Sequence, residues 1–173
     1  MPLRGAHAMH TAMNTKSAEF GISDIAGMTS ALTGAAEYKG RALKNLRVAF
    51  RIRTLSVGFY VRKDSKIKTI ADIRGKTFSS KWSAFPNAIP LSNGLFATAG
   101  MSLKDIDGVP ATNIIRSAND FKSGKIDVGF FAIGAPKMAE VNSAVGGIRF
   151  INIPNTPENN TKMKTIRGDY FVN

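Results

Sequence analysis

Apolar residues recur along this chain in two rhythms, one helical and one alternating, that exchange almost element by element. Ala8, Met9, Ala12 and Met13 share one face at helical spacing, which predicts a helix over residues 6–16. Residues 19–23 predict a short strand, after which Asp24 can cap a helix through Met28, Leu32 and Ala35 that closes near Gly40. Strands are predicted over 46–52 and 56–62, then a short helix over Ile70, Ile73 and Arg74 that stops at Gly75. A strand over 76–80 runs into the loop KWSAFPNA and an amphipathic helix ending at Gly100. Further strands follow over 109–114, 126–131 and 148–153. Between them lie a short helix around Asn119, Asp120 and Phe121 and a helix over 136–145. Past Pro154 the chain is polar and loop-like.

Strand and helix alternate nearly throughout, so the expected class is α/β with largely parallel sheets. Two stretches repeat one plan. MNTKSAEFGISDIAGM, from Met13, and FKSGKIDVGFFAIGAP, from Phe121, each set Ser, Lys and an acid before an apolar-Gly-apolar step. The repeat divides the chain into two similar halves and suggests two lobes with a cleft between them. In such sheets, ligands bind beyond the carboxyl ends of the strands.

Composition adds one constraint. The 173 residues carry 24 Lys and Arg against 12 Asp and Glu, a net charge of +12 that favours acidic partners. The basic residues are scattered with no run beyond pairs, which is more often the mark of a solvated surface than of a docking stripe. Cysteine is absent, which removes disulfides, thiolate chemistry and Cys-based metal sites.

Candidate chemistry lies in loops. Gly134, Ala135 and Pro136 follow the second repeated strand. They can turn backbone N–H groups toward a carboxylate at a helix start, or form a plain strand–turn–helix junction. In KWSAFPNA, Lys81, Ser83 and Asn87 can donate to an anion beside an aromatic wall of Trp82 and Phe85; the alternative is a Trp82 that only packs. His7 and His10 have metal-binding spacing but no third ligand nearby, and packing roles fit them as well. No catalytic constellation, phosphate loop or nucleic-acid motif is visible, so neither an enzyme, a cofactor nor a nucleic-acid partner is expected.

The middle of the chain resembles the TAXI-type solute receptors of TRAP transporters. The resemblance rests on three ordered blocks: AEFGISDIAGMTSALTG, LSVGFYVRKDSKIKTIADIRGKTFSS and FKSGKIDVGFFAIGAP. Thiamine-precursor and sulfonate binding proteins carry looser versions. The resemblance implies an α/β, bilobal periplasmic-binding-protein-like (type II) fold, truncated at both ends. Its first lobe would cover residues 1–56, an inter-lobe crossover strand 57–62, a second lobe 63–154 and a return segment 155–173. It further implies a periplasmic receptor, with its signal peptide outside this chain, that captures a small organic anion and hands it to TRAP membrane subunits. Carried over by motif, the ligand-binding residues are Gly5, His7, Ser23 and Asp24 in the first lobe. In the second, Gly134 and Pro136 match the family's motif around Ala135, and Ser80, Lys81, Trp82, Ser83 and Asn87 join the expected ligand-binding set from the residues of their own loop. KWSAFPNA departs from the family, which has small glycine-rich residues there. A regulator's ligand-sensing domain of the same fold, or a basic nucleic-acid binder, are the alternative expectations.

Overall fold

The computed structural model describes residues 6–52 and 54–172. Gly5 and the turn expected around it lie outside the described residues. The chain divides into two compact units, Met1–Leu55 and Ser56–Asn173.

In the first unit, α1 (Ala6–Asn14) and α2 (Ile25–Thr33) pack with a 3-10 turn at Ala36–Tyr38. α2 begins as its sequence dictates: Asp24 accepts a hydrogen bond from the Gly27 N–H at 2.8 Å, and Gly34 ends the helix in the left-handed region at φ 75°. Met28, Ala31, Tyr38 and Leu46 form the core, with Met13 and Leu43 against it. The strands expected over 19–23 and 46–52 do not form. Both segments lack a ladder partner among the described residues, and a strand is a pairing rather than a propensity. Phe20, Ile22, Val48, Phe50 and Ile52 are accordingly exposed.

The second unit holds β1 (Val57–Arg62), β2 (Thr77–Ser80), β3 (Asp107–Pro110), β4 (Gly129–Ala132) and β5 (Ile148–Phe150). Its helices are α3 (Ala88–Ala97), α4 (Ile114–Lys122), α5 (Pro136–Ala144) and α6 (Pro157–Ile166). β1 lies at the centre of a sheet ordered β4-β1-β5 and runs antiparallel to both neighbours, which corrects the largely parallel expectation. β2 and β3 are parallel, and a parallel bridge between Phe78 and Val128 joins this pair to the strand leading into β4. Alternate residues of β1 serve two apolar layers. Phe59 and Val61 pack with Phe78, Trp82, Phe96 and Phe130, whereas Tyr60 packs with Phe121, Met138 and Val141.

Residues 155–173 contain helix α6 rather than the expected loop. Thr156 caps it by accepting from the Asn159 N–H at 3.2 Å, and Pro157 occupies the first turn. Met163 and Tyr170 are buried in the larger core, and a Cβ on Gly94 of α3 would stand 2.8 Å from the Tyr170 ring. Among the described residues, no helix is long and apolar enough to cross a membrane.

Candidate functional site

Each unit gathers part of the expected site. In the first, α1 carries His7 and His10 three residues apart, and only His10 is buried. Its Nδ1 lies 2.5 Å from Tyr38 Oη, and its Nε2 lies 2.6 Å from Ser23 Oγ. The exposed His7 ring also stands beside Tyr38, their centroids 4.7 Å apart. Loss of hydration on burial pushes the His10 imidazole below its ordinary pKa, against the opposing pull of Asp24 and Glu37. Burial also raises the Tyr38 phenol to about 12, with Glu37 and Asp24 adding to the shift. Near neutral pH the cluster is therefore an uncharged imidazole between two hydroxyls. One oxygen of the Asp24 carboxylate caps α2, and Ser23 beside it is exposed.

Gly21 explains half of the repeated sequence plan. A Cβ there would meet the sulfurs of Met9 and Met13 at 2.8 Å, so glycine lets the chain before Ser23 lie directly on α1. In the second repeat, Gly129 serves the same purpose against the Tyr60 ring.

In the second unit, the parallel pairing of β2, β3 and the strand entering β4 directs their carboxyl ends to one edge. Residues 80–87, 111–113 and 133–136 emerge there. The Ala111 N–H donates to the Ser80 carbonyl at 3.1 Å, and the Ala84 N–H donates to the Thr112 carbonyl at 2.8 Å, tying the first two loops together. Lys81 takes a left-handed backbone, φ 55°, which turns the chain sharply between Ser80 and Trp82. Lys81 and Ser83 are exposed. Asn87 precedes α3 without using its side chain as a cap, which leaves the amide for another partner. Gly134 is left-handed at φ 78°, with open space where a Cβ would stand. The Ala135 N–H donates to the Ala132 carbonyl and Pro136 has none, so a ligand at this junction meets Gly134 and the first turn of α5.

Two expected site residues sit elsewhere than a solute wall. Trp82 is fully buried, edge-on to Phe78 at a centroid distance of 5.5 Å and 6.2 Å from Phe130. Ser80 turns its hydroxyl toward Gly108 of β3. His10 and Tyr38, which complete the first unit's cluster, were not expected there. The paired histidines were visible in sequence, but no local pattern announces a tyrosine 28 residues from its partner.

Two shallow surface depressions, of about 600 and 570 Å³, contain none of these residues. Lys63 and Arg149 line one, Arg62 and Asp127 the other. They lie at the opposite end of β1 from Ser56, whose carbonyl accepts from the Ile133 N–H beside Gly134. Among the described residues, no group of three His, Asp or Glu is placed to hold a metal ion.

The α/β fold, with loops gathered at strand carboxyl ends, is that of the periplasmic solute-binding proteins. The chain belongs to the NMT1-like family, whose model matches residues 3–171. It is similar to the alkanesulfonate-binding protein SsuA from Xanthomonas axonopodis pv. citri bound to MOPS. The identity is 18% over 88% of this chain and 48% of that one, with a TM-score of 0.55. It is also similar to an ABC transporter/periplasmic binding protein from Brucella ovis with glutathione bound. Here the identity is 14% over 88% of this chain and 44% of that one, with a TM-score of 0.56. The periplasmic aliphatic sulphonate binding protein SsuA from Escherichia coli is 24% identical over 56% of this chain and 29% of that one, with a TM-score of 0.44. This chain thus spans less than half the length of each of these structures. No curated protein sequence matches it. The TAXI resemblance accordingly widens to the NMT1-like family as a whole.

Proposed function

We propose that this chain forms part of a periplasmic receptor that captures a small organic anion, a carboxylate or a sulfonate, for delivery to a membrane permease. The observation that carries the reading is the common edge reached by the carboxyl ends of β2, β3 and β4. Two of the loops there, 80–87 and 133–136, carry the second-unit residues expected to meet the solute. Lys81, Ser83, Asn87 and the Gly134 junction supply donors in this unit, and Ser23 supplies one in the first. The net charge of +12 favours an anion. The TAXI resemblance supports a permease of the TRAP type, and the Brucella ovis relative, by its description, an ABC transporter.

Thermal unfolding with MOPS, glutathione and small dicarboxylates tests the reading. A solute at about one hundred times its Kd stabilises the folded state by about 2.7 kcal/mol, which raises the Tm by about 5–10 °C in a chain of this size. A Tm unmoved by every member of that panel at millimolar concentration contradicts it.

A further inference from the structure

The Ser23–His10–Tyr38 chain of hydrogen bonds does more than fill the core of the first unit, because its proton order can be derived. A neutral imidazole has one N–H and one bare nitrogen, so only one neighbour can donate to it. Tyr38 is buried, and among the described residues His10 Nδ1 is the one hydrogen-bond partner its hydroxyl has. Were Nδ1 to carry the proton, the phenol O–H would be buried without an acceptor, the more costly arrangement. Tyr38 therefore donates to Nδ1, and His10 Nε2–H donates to Ser23 Oγ. The Ser23 proton must then point away from the imidazole. Among the described residues it finds only the Asp24 carbonyl, 3.3 Å away, a long and weak hydrogen bond that an incoming acceptor can replace.

We propose that His10 and Tyr38 are positioning residues that turn the Ser23 hydroxyl outward as a hydrogen-bond donor to an anionic oxygen of the solute. This rests on the solute-binding reading above and adds to it the polarity of one contact. An oxygen of a carboxylate or sulfonate accepts from this hydroxyl in a charge-assisted bond. The buried relay holds the donor in place before the solute arrives, so little ordering remains to be done on binding.

Two measurements on the whole chain test it. Long-range proton–nitrogen NMR of ¹⁵N-histidine-labelled protein near pH 7.5 reports the tautomer of His10, identified by its loss in His10→Gln. The expected result is protonated Nε2 with Nδ1 accepting, and a loss of that preference in Tyr38→Phe. A protonated Nδ1 overturns the relay whether or not any solute is known. Calorimetric titration with MOPS and glutathione is the second measurement. Ser23→Ala and His10→Phe are each expected to weaken a binding probe about tenfold, and the double variant about as much as either alone. His10→Gln, which keeps an acceptor for Tyr38 and a donor for Ser23, should stay within about threefold of the unaltered protein. If His10→Phe fails to fold, Tyr38→Phe supplies the same comparison. Independent, additive losses overturn the coupling. Binding of neither probe to the unaltered protein overturns the donor role together with the solute-binding reading, and the tautomer then judges the relay separately.

Discussion

Trp82→Ala is expected to destabilise the Ser56–Asn173 unit by about 3–5 kcal/mol, the loss typical of truncating a large buried aromatic. Trp82 is 1% exposed and meets Phe78 and Phe130, whose rings also surround Phe59 of the central strand. The surrounding aromatics belong to strands fixed by backbone pairing, so collapse into the vacated volume is limited. As Trp82 is the one tryptophan in the chain, unfolding is best followed by far-ultraviolet circular dichroism in urea rather than by fluorescence. A loss below about 1 kcal/mol, accompanied by weaker solute binding, would return Trp82 to the role of solute wall.

Gly129→Ala is expected to cost about 1–3 kcal/mol by overpacking, an unusually large effect for one methyl group. An alanine Cβ would stand 2.1 Å from Cζ of Tyr60, well inside contact distance. The ring is hemmed in by Phe121 at a centroid distance of 4.7 Å and by Phe150 at 5.8 Å. Relief must then come from moving β4 away from β1, which strains the ladder that pairs Gly129 with Tyr60. Gly124 makes a useful control, since a Cβ there meets nothing and any cost arises from its φ of 76°. The steric origin is confirmed when Tyr60→Val removes most of the additional cost of Gly129→Ala in a double-variant cycle. Additive losses speak against it.

These two positions show what the sequence made legible. The largely apolar run VGFYVR announced β1, and the cap Asp24 with its following apolar residues announced α2, because those signals are local. The direction of β1 was not legible, since an apolar run records burial on both faces but not which way its neighbours run. Residues 19–23 and 46–52 carried a strand pattern without a pairing partner, and hydrogen-bonded neighbours are what complete a strand. α6 was hidden because its polar composition outweighs the short signal of Thr156 followed by Pro157. Among the candidate site residues, Ser23, Asp24 and the Gly134 turn fall in loops as their motifs indicated. For Trp82 the sequence left wall and packing open, because an aromatic in a loop-like sequence gives no sign of which way its ring will turn; the ring is buried. His10 gained its partners only through tertiary contact, with Tyr38 arriving from a distant turn.

The repeated Gly steps acquire a common physical reason. Each brings backbone against a large side chain just before a loop with candidate donors, Ser23 in one unit and Gly134 in the other. Two-dimensional proton–nitrogen NMR, titrated with whichever of MOPS, glutathione or the dicarboxylates gives the largest thermal shift, tests the solute-binding claim most directly. The expected result is a saturable set of shifts at residues 23–26, 81–87 and 134–137. Shifts confined to the depression lined by Lys63 and Arg149, or none at saturating solute, would contradict it.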